Sequence, residues 1–382
     1  MEMGFVPLLS TLNLPNTSIS KTLLKDPSLS YNHLLKALFV SRICTKHLKP
    51  EKMGATTLTH VMTINPNNTN IHGPVVDEVE GLIRVYKDGH VERSQLVPCV
   101  GPSLPLELGV ACSDVYIDKL TNVWARLYIP IDTNSKPPLL VYFHGGGFCV
   151  GSASWSCYHE FLARLSASSR CMVMSVNYRL APENPLPAAY EDGVNAILWL
   201  RKRIHDSLWA KLCDLSRIFL VGDSAGGNIA HHVAARLAAA ADDLKPLRIE
   251  GTVLIQPFFG GEARTESELR VENNAKSSVL TLAASDAWWR LALPRGANRE
   301  HRYCKPVKKM VVTRTLVCVA EMDVLMDREM EMCDGNEEVI KRVVYKGVGH
   351  AFQILGKSQL AQTATDEMLC HIDSFIHHCD PL

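Results

Sequence analysis

An α/β fold with a mostly parallel central sheet and helices on both of its faces is the architecture this 382-residue sequence predicts. Three observations carry the prediction. Short, nearly continuous apolar runs such as Leu139–His144 and Leu316–Ala320 have the composition of strands buried on both sides. Helix-length segments alternate with these runs, the pattern of strand–helix–strand units wound into a parallel sheet. Two of the runs also end in glycine-rich turns, His144-Gly145-Gly146-Gly147-Phe148 and Gly222-Asp223-Ser224-Ala225-Gly226-Gly227-Asn228.

The elements follow in order. Residues 1–76 are irregular, with Asn/Pro/Thr clusters such as Asn65–Asn70, and are expected to be an N-terminal extension, partly disordered or forming a cap. A main domain is expected over 77–382, with its catalytic core at 139–355. Leu82–Tyr86 and His90–Arg93 are strand candidates joined through Asp88-Gly89, a hairpin signal. Val115–Ile117 and Val123–Ile129 add two more strands around Asn122. After Leu139–His144 a helix is marked by Leu162 and Leu165. Then come a strand at Met172–Val176, a helix at Ala188–Arg203, a strand at Ile218–Val221 and an alanine-rich helix at Ser224–Ala241. Thr252–Ile255, Leu316–Ala320 and Val343–Tyr345 complete the strands. Leu282–Leu293, with Trp288-Trp289, reads as a helix packing apolar bulk, either in the core or over a pocket.

Composition narrows the function classes. The length suits one large α/β domain or two smaller ones. Lys+Arg and Asp+Glu number 40 each, which points to neither nucleic acid nor an anionic membrane as partner. There is no apolar run of membrane-spanning length. The 12 cysteines are scattered without a C-x-x-C pair, which suits a reducing compartment and a cytoplasmic location. Residues 1–52 are the exception: the Ser, Thr and Lys content of 17–52 leaves an organellar targeting segment as one alternative and a natural start at Met53 as another.

The chemistry lies in the glycine-rich turns. A serine hydroxyl needs a base in hydrogen-bond reach and a third group to orient that base. Ser224 sits in a G-x-S-x-G turn at the start of the alanine-rich helix, where a serine could otherwise serve only as a helix cap. The amide of Ala225 and those of Gly145, Gly146 and Gly147 are the expected donors to an oxyanion, the bland alternative for the triplet being a flexible turn. Among 15 histidines, His350 stands out: Gly347-Val348-Gly349-His350-Ala351-Phe352 follows a strand, in the order serine, acid, histidine. Asp323 is the expected acid, on the loop after Leu316–Ala320. Asp327 is read as a helix-start or ion-pair residue, and Asp223 as pointing away from Ser224. His231 and His232 are read as helix-packing or exposed residues. Tyr178–Glu183 either orients the glycine loop or makes a structural ion pair. With no dinucleotide fingerprint, Walker loop or H-E-x-x-H, no metal or other cofactor is implied.

Taken together, HGGGF at 144–148, YRLAPE at 178–183, GDSAGGN at 222–228, the Asp323 loop and GHAF at 349–352 resemble the plant carboxylesterases of the hormone-sensitive-lipase-like branch of α/β hydrolases. The resemblance runs from about residue 77 to the C-terminus. It implies an α/β-hydrolase fold with an N-terminal cap over the pocket, a cytosolic esterase without cofactor, a small-molecule ester as substrate and Ser224, His350 and Asp323 as triad. It also narrows the oxyanion donors to Gly146, Gly147 and Ala225. The same fold includes gibberellin receptors, which lack the catalytic histidine, and hydroxyisoflavanone dehydratases, whose nucleophile position can be threonine. His350 argues against the receptor reading; Ser224 favours hydrolysis while leaving elimination open. Relative to the family, the chain is shorter between Cys304 and Thr315 and between Cys333 and Val343, on both sides of Asp323, a shortening able to shift Asp323 relative to His350.

Overall fold

The computed structural model describes residues 71–131, 135–207, 209–272, 279–305 and 313–378. The extension expected at 1–76 therefore falls, up to residue 70, outside the described residues, and so does the targeting segment expected at 1–52. Eleven strands form two sheets among the described residues. The larger sheet has eight strands: β4 (Val110–Asp118), β5 (Val123–Pro130), β6 (Pro138–Phe143), β7 (Met172–Asn177), β8 (Asp214–Asp223), β9 (Ile249–Ile255), β10 (Thr315–Ala320) and β11 (Ile340–Tyr345). Their spatial order is β11-β10-β9-β8-β6-β7-β5-β4. Pairing is parallel from β11 across to β7 and antiparallel for β7–β5 and β5–β4.

Burial explains the continuous apolar runs. Every residue of β6 and β10 is buried, because helices cover both faces of the sheet. On one face, α1 (Ser156–Ser169) and the C-terminal α7 (Gln359–His377) pack Leu162, Leu165, Met368 and Ile372 against Leu140, Tyr142, Phe219, Val221 and Cys318. Alternate strand residues point the other way. There α2 (Ala188–Arg201) and α3 (Ala225–Ala238) approach so closely that a methyl on Gly193 would lie 2.5 Å from Val233 and 3.2 Å from Phe143. The remaining helices of seven or more described residues are α4 (Glu266–Glu272), α5 (Leu282–Ala292) and α6 (Met326–Cys333). No described helix is long and apolar enough to cross a membrane.

A small sheet precedes the large one: β1 (Val75–Val79), β2 (Ile83–Tyr86) and β3 (Val91–Arg93), all antiparallel. The β2–β3 turn falls at Asp88-Gly89, with Gly89 at φ 89°. β1 is the strand the sequence does not announce, since Val-Val-Asp-Glu-Val shows no alternation and four of its five residues are not buried. The expected elements do not include the helix α7 either, although its buried stripe at 361, 364, 365, 368, 369, 372, 375 and 376 has helical spacing and Ser358 Oγ caps it by accepting from Ala361 N–H.

Candidate active site

The site forms at the carboxyl ends of the parallel strands. β8 ends at Asp223 and α3 begins at Ala225, so Ser224 alone makes the turn, with φ 50° and ψ −120°. A non-glycine residue in that region is strained and is held there by its surroundings. Ser224 N–H donates to Ile255 O at 2.8 Å, and Ser224 O accepts from Phe258 and Asn228 N–H. The tight turn also requires glycine on either side: a methyl on Gly226 would lie 1.9 Å from Phe143 O, and one on Gly222 2.2 Å from Gly226 O.

Three residues expected from the sequence come together here. His350 Nε2 lies 2.9 Å from Ser224 Oγ, and His350 Nδ1 lies 2.7 Å from Asp323 Oδ2. Because a carboxylate only accepts, Nδ1 carries the proton and Nε2 is left to accept from the serine hydroxyl. All three side chains are buried. Burial disfavours the imidazolium, but the charge and hydrogen bond of Asp323, with the charge of Asp223, outweigh it and raise the His350 pKa above 6.5. The shortened segments do not displace the acid. Asp323 is gripped locally, its Oδ1 accepting from Leu325 N–H at 3.0 Å and its N–H donating to Ala320 O. Residues 306–312 of the first segment lie outside the described residues. The imidazole is held from behind as well: Gln256, buried and at φ 46°, accepts the Ala351 N–H on its Oε1 at 2.7 Å. No pattern in the sequence marks Gln256.

The glycine loop abuts the serine, since a methyl on Gly145 would lie 3.1 Å from Ser224 Cβ. One expected donor is corrected. The Gly145 N–H is already committed, to Tyr158 Oη at 2.8 Å and Asp223 Oδ1 at 3.0 Å, so it is not free for an oxyanion. Gly146, Gly147 and Ala225 remain as candidates. Asp223 does point away from Ser224, and it collects Tyr142 O–H, Tyr158 O–H and Gly145 N–H on one buried carboxyl. Its burial outweighs these donors and pushes its pKa up to about 6.

Tyr178–Glu183 acts on the loop directly. Tyr178 O–H donates to His144 O at 2.8 Å, its ring stacks on His144 at 4.3 Å, and Ala181 N–H donates to Phe148 O. Burial brings the His144 imidazole down to about 4, so it stays neutral. Trp288 lies against Gly147, where a methyl would come within 2.4 Å of its ring, while Trp289 stacks on Phe258 at 4.6 Å. Asp327 is in the first turn of α6 and accepts Ser267 N–H at 2.7 Å. His231 and His232 are buried in α3 against the rings of Phe259 and Tyr303. On α6, Glu329 is a second buried carboxyl near Asp323. Burial and that neighbouring charge raise its pKa well above the carboxylate range.

Comparison with known proteins agrees with this fold. Residues 140–354 match a family described as the alpha/beta hydrolase fold. The chain is 78% identical over 338 residues to "Probable carboxylesterase 6" of Arabidopsis thaliana, covering 86% of this chain and all of that one. It is 33% identical to the gibberellin receptor GID1C of the same plant over 70% of this chain and 81% of that one. Among solved structures, EstE1, a thermophilic carboxylesterase cloned from a metagenomic library, superposes with a TM-score of 0.59 at 26% identity, covering 74% of this chain and 91% of that one.

Proposed function

This chain belongs to the alpha/beta hydrolase fold family, and we infer that it is a carboxylesterase acting on carboxylic esters of small molecules. We propose Ser224 as its nucleophile, His350 as the base and Asp323 as the group that orients the base. The observation that carries the proposal is the continuous line Ser224 Oγ, His350 Nε2, His350 Nδ1, Asp323 Oδ2, with contacts of 2.9 and 2.7 Å at its two hydrogen bonds.

In this reading the Ser224 oxygen attacks the ester carbonyl carbon as its proton passes to His350 Nε2. The carbonyl oxygen takes up the negative charge and is received by the amides of Gly146, Gly147 and Ala225. The tetrahedral intermediate collapses, the carbon–oxygen bond to the alcohol breaks, and the imidazolium returns the proton to the departing alcohol. Water, deprotonated by the same nitrogen, then cleaves the acyl-serine and releases the acid. The buried free thiols of Cys149, Cys171, Cys304 and Cys318 suit a reducing compartment, and a cytoplasmic location is part of the proposal.

The test is hydrolysis of p-nitrophenyl acetate and butyrate by wild type and Ser224→Ala, run beside a serine-reactive phosphonate label. Turnover should fall by about 10⁴-fold or more in the variant, because such residues act as a unit, and labelling should vanish with it. A receptor, the reading suggested by the GID1C similarity, predicts instead that wild type is neither labelled nor active. Near-native turnover by Ser224→Ala would remove the assignment.

A further inference from the structure

The turn that carries the oxyanion amides does not hold itself. Gly146, Gly147 and Phe148 are three consecutive residues in left-handed backbone conformation, at φ 110°, 58° and 65°. Such a run persists only where surrounding groups fix it. Inside the turn, Gly146 O accepts from Cys149 N–H at 3.0 Å and Val150 N–H at 2.9 Å. A peptide unit is planar with its C=O and N–H opposed, so fixing Gly146 O also fixes the direction of Gly147 N–H. The position of Cys149 therefore decides where one of the candidate oxyanion donors points.

Cys149 is held from outside the hydrolase match, which begins at residue 140. Arg93, at the end of β3, donates Nε–H to Cys149 O at 2.6 Å. The same guanidinium donates through Nη2 to Ala181 O at 2.9 Å, and through Nη1 and Nη2 to both Glu183 oxygens at 2.7 and 2.5 Å. Ala181 N–H in turn holds Phe148 O. Arg93 thus acts on the turn twice, directly at residue 149 and through Ala181 at residue 148. Burial works against the Glu183 carboxylate, but the Arg93 hydrogen bonds and charge keep its pKa below the usual value, so the pair is ionised. The small sheet grips the other flank too. Asp77 on β1 takes Arg290 of α5 through two bonds of 2.6 and 2.7 Å, and α5 carries the Trp288 ring that lies against Gly147.

We propose that Arg93 is a positioning residue for ester hydrolysis, its guanidinium fork holding the turn that aims the Gly147 amide at the oxygen of the carbonyl Ser224 attacks. The end of β3 is then coupled to the glycine loop through Arg93 alone, without touching substrate. This rests on the esterase reading above. A lysine cannot replace the guanidinium, because one ammonium cannot make planar, forked bonds to two carbonyls and a carboxylate together.

The experiment compares wild type with Arg93→Ala, Arg93→Lys and Arg84→Ala. Arg84 lies on the same sheet and pairs with the exposed Glu78, so its loss controls for disturbance of the sheet. Arg93→Ala should lose about 10- to 100-fold in kcat on p-nitrophenyl acetate, the range for a misplaced oxyanion donor, with KM changed by no more than about threefold. Its phosphonate labelling should slow in parallel. Arg93→Lys should stay impaired, Arg84→Ala should keep wild-type kcat, and millimolar methylguanidinium should restore part of the kcat of Arg93→Ala alone. If Arg93→Ala does not fold, Arg93→Lys with an unchanged circular dichroism spectrum carries the same kcat prediction. Wild-type kcat in either Arg93 variant, an equal loss in Arg84→Ala, or full rescue by lysine overturns the proposal while the esterase reading stands. Wild type inert to both esters and phosphonate overturns the esterase reading, and this proposal with it.

Discussion

Replacing Asp223 by asparagine separates a buried charge from a hydrogen-bond hub, and the pH dependence tells the two apart. Three donors converge on this carboxyl: Tyr142 O–H and Gly145 N–H on Oδ1, and Tyr158 O–H on Oδ2. Asparagine keeps one acceptor oxygen and presents an NH2 in place of the other. With the oxygen at Oδ1, Tyr158 O–H loses its acceptor in a buried position, which costs about 1–3 kcal/mol. Against this stands the charge. The native pKa near 6 exceeds the ordinary 3.8 by about two units, so native protein holds a proton that the unfolded chain has released between about pH 4 and pH 6. The contribution of Asp223 to wild-type stability should fall across that window by about 3 kcal/mol at ~1.4 kcal/mol per unit, then stay level above it. Asparagine has no such loss. The variant should be clearly less stable than wild type at pH 4.5, and the gap should narrow or close by pH 7.5. Urea unfolding midpoints at half-unit pH steps measure the difference, and kcat on p-nitrophenyl acetate should fall about 10-fold as the Gly145 anchor loosens. A stability gap that is the same at pH 4.5 and 7.5 would refute a raised, buried carboxyl at this position.

Three further outcomes follow from the site. The imidazole must be neutral to act as base, and its pKa is raised, so the acid limb of kcat/KM should lie above pH 6.5. Asp323→Asn removes the charge and charge-assisted hydrogen bond of Asp323 and leaves burial, which lowers it, opposed only by the charge of Asp223; the limb should move to lower pH and kcat should drop by about 10⁴-fold, as read from a pH–rate profile. An unmoved limb would mean that another group controls the base. Gly226→Ala should fail to give stable protein, with a loss above about 4 kcal/mol, because the new methyl meets Phe143 O, Phe143 C and His144 O, all backbone atoms that no rotamer change can clear. A variant with a wild-type urea midpoint would show that α3 can move off β6 at little cost.

Legibility in this chain depends on how far apart the cooperating residues lie. The serine turn is written in seven consecutive residues because its constraint is local: glycine where a methyl would meet backbone, serine at the strained position between. The parallel sheet is legible for a similar reason, since a strand buried on both faces must be apolar throughout, as β6 and β10 are. β1 carries no such mark because one small sheet with exposed residues imposes no pattern. The glycine triplet shows the limit. Three glycines announce a close backbone approach, yet which amide is free is decided by Tyr158 and Asp223, 13 and 78 residues away, and both take Gly145. Arg93 lies 56 residues before the carbonyl it holds and 90 before the carboxylate it pairs with. Gln256 reaches Ala351 across 95. Groups that perform chemistry are thus advertised by the strained turns that expose them, whereas groups that aim those turns do so through single polar contacts between distant segments. An arginine in a β-hairpin looks the same in sequence whether it meets solvent or a catalytic loop. What distinguishes Arg93 is that all its partners are oxygen atoms of the loop and of the segment bracing that loop, an arrangement that exists only once the chain is folded.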